Sequence, residues 1–340
     1  MLISDAIAEI LKREGVEFIV GYPVNPIIEA AARADIRTII VRQERTGIHM
    51  ADAFSRINSG DEIGVFVIQH GPGSENAFGG VAQAYGDSVP IIIIPAGYDR
   101  KLTNVTPNFS SLLNFQHVAK SVEQVTVSSA IPDAMRRAFS AVRNGRPRPA
   151  VIEIPTDVFP EEIESLSYTP VKVARSAPDP ADVSKAAEIL VNATNPVIYA
   201  GQGVHYAKAW EELKELAELL EVPVTTSLEG KSAFPETHPL SLGSGGRALP
   251  KPVHHFIQNA DVIFGIGCSF FATGFGIQFP KGKTVIHSTL DPLDLDNTVE
   301  VTQPLVGDAQ LTLAALIPEI RALIGDGGRG RAEGIATEIT

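Results

Sequence analysis

The chain has 340 residues, of which 44% are hydrophobic and 20% are charged, and its formal net charge at pH 7 is −12. This length allows two domains with separate cores, and the composition is that of an ordinary globular protein. The acidic balance argues against nucleic acid as a partner, because a phosphate backbone attracts clusters of Lys and Arg. The single cysteine, Cys268, excludes an internal disulfide and a thiolate metal cluster, and it indicates a reducing, cytoplasmic location.

The sequence also argues against contact with a membrane. Its most apolar stretch, residues 89–96, contains two prolines and is far too short to cross a bilayer. The first five residues lack the basic start and the apolar core of a signal peptide.

Residues 1–160 alternate between helical and extended patterns. Helices are predicted at residues 5–14, 27–34, 44–57 and 131–142, where apolar side chains recur at helical spacing. Strands are predicted at residues 16–20, 38–41, 63–68, 91–94 and 150–154, several of them continuous apolar runs typical of a covered parallel sheet. This alternation predicts an α/β domain with a doubly wound parallel sheet.

A second α/β domain with the same kind of sheet is predicted at residues 183–324. Its strands are expected at residues 196–200, 222–226, 262–266 and 284–287, and its helices include residues 208–220 and 252–259. Residues 161–182, rich in Pro, Ser and charge, are interpreted as a linker. Residues 325–340 begin with four glycines in six positions and show no apolar period, so we expect a mobile tail.

Glu44 follows an apolar strand and opens a helix, which places it at the carboxyl edge of the predicted sheet. Ligands of open α/β sheets bind at this edge, and a carboxyl group there can exchange a proton with a ligand. The simpler interpretation is a carboxylate that only stabilises the helix N-terminus.

The next strand is followed by a histidine and a glycine turn, His70-Gly71-Pro72-Gly73, and then by Asn76. Glycine frees the backbone for close approach to a flat ring, although an ordinary strand-to-helix turn has the same composition. A neutral His70 imidazole can relay a proton, or it can be a histidine satisfied by a loop carbonyl. Asn76 is either a ligand contact or a surface polar group.

Together these segments resemble the pyrimidine-binding domain of thiamine diphosphate enzymes, the acetolactate synthase group in particular. The resemblance extends over nearly the whole chain. The segments that carry it are Gly21-Tyr22-Pro23, Glu44, Gly71-Pro72-Gly73 with Asn76, Phe115-Gln116 with Lys120, Gly230 to Pro235 and His238 to Gly243.

The resemblance implies a role for each matching residue. In that family the glutamate hydrogen-bonds a ring nitrogen of the cofactor's aminopyrimidine and so assists deprotonation of the thiazolium, which makes Glu44 a catalytic candidate. His70 and Gln116 are the other catalytic candidates, since the family glutamine lies near the substrate. The expected cofactor contacts are Tyr22, Pro23, Val24, Glu44, Gly71, Pro72 and Asn76.

Three departures from the family pattern limit what the resemblance implies. Val24 and Asn25 stand where the family has two glycines, and Gln43 stands where it commonly has His. The family also carries a third domain, which binds the diphosphate through magnesium and is marked by Gly-Asp-Gly and a later Asn. The chain's Gly325-Asp326-Gly327 is followed by no Asn, so we expect no metal site here.

The leading hypothesis is therefore one subunit of a split thiamine diphosphate enzyme that makes or breaks a C–C bond next to a carbonyl. A separate partner chain would supply the diphosphate domain and Mg²⁺, and two copies of this chain would pair through their pyrimidine domains. The substrate is expected to be a 2-oxo acid, or an acyl-CoA if the reaction is 2-hydroxyacyl-CoA cleavage.

The alternative hypotheses are a fragment of a longer enzyme and a non-catalytic or regulatory relic that binds a nucleotide. The second interpretation depends on Gly201-Gln202-Gly203 and Gly265-Ile266-Gly267, which suggest an FAD or ADP moiety in the central domain. Neither segment completes the dinucleotide-binding pattern, so a bound flavin is the weaker expectation.

Overall fold

The computed structural model describes residues 1–339, which form two compact units, residues 1–174 and the residues from 175 onward. Each unit contains a six-stranded parallel sheet, which confirms the predicted fold class. No helix among the described residues is long and apolar enough to cross a membrane.

The sheet of the first unit has the strand order β2-β1-β3-β4-β6-β5. Its strands are β1 (Phe18–Tyr22), β2 (Arg37–Ile40), β3 (Gly64–Ile68), β4 (Ile91–Gly97), β5 (Ser121–Gln124) and β6 (Ala150–Pro155). Its helices are α1 (Ile3–Arg13), α2 (Asn25–Arg33), α3 (Glu44–Ile57), α4 (Pro72–Gly86), α5 (Ser111–Asn114) and α6 (Ile131–Arg143).

The two faces of this sheet bury alternate residues of the same strands. In β3, Val65 and Val67 pack in the cluster that contains α1, α2 and α6, whereas Phe66 and Ile68 pack in the cluster that contains α3 and α4. Successive side chains of a strand point to opposite faces. A continuous apolar run is therefore what a strand covered on both faces requires.

The second unit repeats this architecture with the strand order β12-β11-β10-β7-β8-β9. Its strands are β7 (Pro196–Ala200), β8 (Val224–Thr226), β9 (Ser241–Ser244), β10 (Val262–Ile266), β11 (Thr284–Thr289) and β12 (Gln303–Val306). Its helices are α7 (Pro180–Asn192), α8 (Gly203–Tyr206), α9 (Trp210–Leu220), α10 (Lys251–Asn259), α11 (Ala309–Ile324) and α12 (Ala332–Ile339).

The structure divides the predicted linker, residues 161–182, between the two units. Residues up to 174 belong to the first unit, where the buried carboxylate of Glu14 accepts hydrogen bonds from the Tyr168 hydroxyl and from the Val171 N–H. Helix α7 then begins at Pro180, and the Asp179 side chain accepts the N–H of Ala181 as its cap. The segment also packs apolar side chains on the core of the first unit, but these follow neither helical nor strand spacing: Ile163, Leu166, Tyr168 and Val171.

The predicted tail, residues 325–340, also contains regular structure. Helix α12 lies within it, and the side chain of Ile335 is buried in the core of the second unit. Ile339, four residues later, is partly buried against the same core, and two apolar contacts in an eight-residue helix are too few to establish a period in the sequence.

Two adjacent glycines of α4 give a matched test of how this helix packs. A Cβ on Gly80 would lie 2.2 Å from Cγ2 of Ile48 in α3, whereas a Cβ on Gly79 would meet nothing within 4 Å. We expect Gly80→Ala to destabilise the protein by about 1–3 kcal/mol through overpacking. Gly79→Ala should stabilise it by about 0.5–1 kcal/mol, because alanine favours the helix. Urea denaturation of both variants checks this, and equal effects would contradict the α3–α4 packing.

Candidate functional site

The carboxyl ends of β1, β2, β3 and β4 lie at one edge of the first sheet. The chain passes from β1 to β2 on one side and returns to β3 on the other, so the strand order reverses between β1 and β3. Ligands of open α/β sheets bind at such a reversal, outside the carboxyl ends of the strands. Here the N–H of Gln69 after β3 donates to the carbonyl of Tyr22 in β1 at 3.3 Å, which joins the two strand ends.

Glu44 is a buried carboxylate at this edge, with only 4% of its surface exposed. It is the first residue of α3, where the positive end of the helix dipole favours a negative charge. Its Oε2 accepts a hydrogen bond from Nδ2 of Asn76 at 3.2 Å. Within residues 1–339 its Oε1 accepts none, so one oxygen of a buried carboxylate remains available to a ligand.

The glycine turn after β3 lies against this carboxylate. A Cβ on Gly73 would lie 2.8 Å from Cγ of Gln69 and 3.7 Å from Oε1 of Glu44. Gly71 has φ +57° and ψ −110°, and a Cβ there would lie 2.5 Å from the hydroxyl oxygen of Tyr98. Glycine is needed at both positions because a side chain would fill the space beside Glu44 or strain the turn.

His70 lies at the same edge, and its ring contacts that of Tyr98. The two ring centroids are 4.5 Å apart and the planes are inclined by 52°. Tyr98 is a site residue that the sequence analysis missed, because the strand was predicted to end at residue 94 and β4 continues to Gly97. Extending that apolar run to the glycine would have placed Tyr98 directly at the carboxyl edge.

The remaining predicted site residues lie in different surroundings. Tyr22 is half-buried, while Pro23, Pro72 and Asn76 have exposed surface. The Val24 side chain is buried in the apolar core, so this residue presents only its backbone to a ligand. A valine fits here because it directly precedes α2 and packs against that core.

Gln116 is exposed in a short 3₁₀ turn that follows α5. Its neighbour Phe115 is fully buried, and its ring stacks on that of Phe78 at a centroid distance of 5.7 Å. Within residues 1–339 no hydrogen bond joins Gln116 to Glu44, His70 or Asn76. The structure thus brings Glu44, His70, the glycine turn and Asn76 together and leaves Gln116 on a separate segment.

The geometry fits one end of a thiamine diphosphate molecule. A buried carboxylate beside a side-chain-free turn suits a flat, hydrogen-bonding heterocycle such as an aminopyrimidine. A diphosphate held through Mg²⁺ needs several fixed oxygen ligands. No group of three or more His, Cys, Asp or Glu side chains in the described part of the chain is placed to hold a metal ion. Asp326, in the segment Gly325 to Gly327, pairs instead with Arg321 at 3.0 Å.

Gly201, Gly203 and Gly267 of the second unit lie where two loop backbones pack against each other. The N–H of Gly203 donates to the carbonyl of Gly267 at 2.8 Å, and a Cβ on Gly201 would lie 2.4 Å from the same oxygen. These two loops follow β7 and β10, between which the strand order of the second sheet reverses. This close packing of the two loops accounts for their glycines, so the glycines do not by themselves indicate a bound nucleotide. The FAD or ADP moiety stays a prediction.

Two protein-family profiles match the chain. The family described as "Thiamine pyrophosphate enzyme, N-terminal TPP binding domain" matches residues 1–127. The family described as "Thiamine pyrophosphate enzyme, central domain" matches residues 183–316. The first match contains every candidate site residue named above, and the second covers most of the second unit.

Curated relatives are similar over almost the whole chain. A Methanocaldococcus jannaschii protein named "Probable acetolactate synthase large subunit" is 36% identical over 334 residues, covering 94% of this chain and 56% of the relative. A protein of the same name from Methanococcus aeolicus is 32% identical over 339 residues, with the same two shares. Acetolactate synthase isozyme 3 large subunit of Escherichia coli is 31% identical over 337 residues, or 92% of this chain and 57% of that protein. The chain thus spans little more than half the length of these relatives.

The contact between Gly71 and Tyr98 predicts a coupled pair of substitutions. Gly71→Ala should cost about 1–3 kcal/mol, because it puts a side chain at a positive φ and against the tyrosine hydroxyl. In a Tyr98→Phe background the hydroxyl is gone, and we expect the cost of Gly71→Ala to fall by at least about 0.5 kcal/mol. A double-mutant cycle by urea denaturation measures the coupling. A cost that is the same in both backgrounds would separate Tyr98 from the turn.

Proposed function

The chain belongs to the thiamine pyrophosphate enzyme family, and from that premise we propose that its first unit binds the aminopyrimidine end of thiamine diphosphate. The observation that carries the proposal is the buried Glu44 carboxylate, bonded to Asn76 through one oxygen and facing the Gly71–Gly73 turn with the other. Solvent is largely excluded from this carboxylate, which strengthens each hydrogen bond that it makes to a bound ring.

Each residue of the site has a distinct part in this proposal. Glu44 exchanges a proton with a ring nitrogen through Oε1, and Asn76 holds the carboxylate in place by donating to Oε2. The backbone of the glycine turn provides a flat surface for the ring, together with Tyr22, Pro23, Val24 and Pro72. His70 transfers a proton to or from the substrate, with its ring oriented by Tyr98.

We propose carboligation or decarboxylation of a 2-oxo acid as the reaction, in the manner of an acetolactate synthase. When bound, thiamine diphosphate supplies the nucleophilic carbon and the electron sink for a C–C bond next to a carbonyl. The names of the relatives support a carboligase, since all three carry the words acetolactate synthase. A lyase acting on a 2-hydroxyacyl-CoA is the alternative with the same cofactor chemistry. We place the enzyme in the cytoplasm, where its single cysteine, Cys268, stays reduced.

We further propose that a diphosphate-binding domain outside these 340 residues completes the site and brings Mg²⁺. In the split arrangement this domain belongs to a partner chain, and two copies of the present chain pair through their first units. The support is chemical, because the candidate site has one buried carboxylate and an amide, and residues 1–339 bring no group of three or more His, Cys, Asp or Glu side chains together to hold a metal.

Substitutions of Glu44 and His70 separate their two proposed roles in the completed enzyme. Glu44→Gln keeps the volume and the hydrogen bond from Asn76 but removes the ionisable proton. It should slow deuterium exchange at the thiazolium carbon by about 10²–10⁴-fold. His70→Ala should leave this exchange intact and lower turnover, because the imidazole acts on the substrate.

The control for both variants is the thermal midpoint, which should not fall for Glu44→Gln, since it removes a buried charge. Wild-type exchange in Glu44→Gln would refute the assignment of the carboxylate. Unchanged turnover of His70→Ala between about pH 5 and pH 8, where imidazole titrates, would make His70 structural.

Calorimetry with thiamine diphosphate tests whether the site is completed from outside the 340 residues. The chain by itself should bind the cofactor at about millimolar Kd or more weakly and without regard to Mg²⁺, because the charge-assisted diphosphate contacts are missing. Adding a separately produced diphosphate-binding domain should make binding tight and magnesium-dependent. Tight, magnesium-dependent binding to the isolated chain would contradict the proposal.

Light scattering of the same mixture tests the pairing of the chains. It should show at least two copies of each chain, and an active one-to-one complex would rule out the pairing.

A further inference from the structure

A second buried carboxylate lies at the same edge of the first sheet and has no part in the proposed chemistry. Glu153 stands near the carboxyl end of β6 and is 4% exposed. No Lys, Arg or His among residues 1–339 forms an ion pair with it. Burying a charge without a partner is costly unless its oxygens are hydrogen-bonded.

Both oxygens of Glu153 accept hydrogen bonds from residues of different segments. The backbone N–H of Ser111, the first residue of α5, donates to Oε2 at 3.0 Å. The side-chain amide of Gln124, the last residue of β5, donates to Oε1. The carboxylate thus attaches α5 and the 3₁₀ turn that follows it, with Gln116, to the sheet.

The network continues from Ser111 to the glycine turn. The hydroxyl of Ser111 is 3.1 Å from that of Ser74, and both serines are buried. Ser74 directly follows Gly73 in the first turn of α4, two residues before Asn76. Glu153 is therefore connected through two serines to the helix turn that holds the carboxylate of Glu44.

A third segment of the site packs directly on Glu153. A Cβ on Gly97 would lie 3.1 Å from Cγ of Glu153 and 3.2 Å from its Oε1. Gly97 immediately precedes Tyr98, the residue whose ring contacts His70. A side chain at Gly97 would therefore press on Glu153 and require it to shift by a few tenths of an ångström.

We propose that Glu153 is a positioning residue of the candidate site. Its carboxylate holds the segment Ser111–His117, which carries Gln116, in register with the α4 turn that carries the cofactor-side residues. The functional meaning of this position rests on the proposed thiamine diphosphate chemistry, whereas the positioning itself is a property of the chain alone. This role requires a side chain long enough for its two oxygens to accept hydrogen bonds from the Ser111 N–H and the Gln124 amide, which lie on different segments.

Two conservative variants test whether the length of the Glu153 side chain or its charge holds the segment in place. Glu153→Gln keeps the reach, since its oxygen can accept the Ser111 N–H while its amide donates to a flipped Gln124 side chain. Glu153→Asp keeps the charge but is shorter by one methylene, so it cannot serve both donors. We expect Glu153→Asp to behave like Glu153→Ala and Glu153→Gln to behave like the wild type.

Hydrogen–deuterium exchange of the 340-residue chain, without cofactor or substrate, measures the effect. In Glu153→Asp the amides of residues 111–117 should exchange about 10- to 100-fold faster, as expected for loss of a hydrogen bond to a charged group. Glu14→Asp is the matched control, because Glu14 is also a buried carboxylate of the first unit and accepts the N–H of Val171. That variant should speed exchange around residue 171 and leave residues 111–117 unchanged.

Steady-state kinetics of the completed enzyme then test whether the position of the Gln116 segment affects catalysis. Glu153→Asp should lower kcat/KM for the 2-oxo acid by about 10- to 100-fold through misplacement of the Gln116 segment, with recovery in Glu153→Gln. Thiazolium exchange, which depends on Glu44, should be retained in both variants. Three results would overturn the proposal. The first is that residues 111–117 stay protected from exchange in Glu153→Asp, and the second is that protection is lost uniformly across the first unit. The third is a defect in Glu153→Gln as large as that in Glu153→Asp. Since the exchange experiment needs no cofactor, failure of the thiamine diphosphate proposal would leave its outcome interpretable.

Discussion

The first unit depends on one constraint, which is that the strands of its sheet are all parallel. Each connection between two strands must bring the chain back to the edge where strands begin. Every strand therefore ends at the same carboxyl edge, where the connection to the next helix starts. Residues far apart in sequence, such as Tyr22, Glu44, His70 and Tyr98, therefore meet there. The continuous apolar runs of β3 and β4 make this geometry stable by filling the cores on both faces of the sheet.

Two buried carboxylates occupy this edge, and their hydrogen bonds distinguish them. Glu153 has both oxygens occupied by donors of the protein, which is what a structural charge requires. Glu44 has one oxygen occupied, and the N-terminus of α3 offsets part of the cost of its burial. A buried acid that the protein satisfies only in part is suited to act on a ligand, and this difference underlies the two roles that we propose.

The second unit shows that the same topology can carry different local packing where its strand order reverses. Its sheet also reverses strand order, between β7 and β10, where an open α/β fold commonly binds ligands. At this place the loops of Gly201 to Gly203 and Gly267 pack backbone against backbone. Glycine-rich segments at corresponding positions thus serve close packing in one unit and surround a buried carboxylate in the other. Function follows from the local chemistry of each edge.

The sequence by itself determined the fold class, most of the strands, half of the α-helices that residues 1–339 form, and the central part of the candidate site. Periodicity was sufficient for these because β7 and β10 are uninterrupted apolar runs, and because α3 begins at a carboxylate directly after a strand. It did not indicate β5, which is a half-buried edge strand, or β9 and β12, which are short and contain glycine or proline. Such strands form because of pairing with their neighbours in the sheet, and their own residues show no clear apolar pattern.

Only the tertiary structure decided which side chains share a contact. Val24 and Asn76 were both expected to contact the cofactor, yet one side chain is buried in the core and the other bonds to Glu44. Neither Tyr98 nor Glu153 was assigned a role from the sequence, and they join the site because β4 and β6 end at the same edge. The physical reason is that hydrogen bonds and burial link residues by distance in space, whereas periodicity and motifs report only on neighbours along the chain.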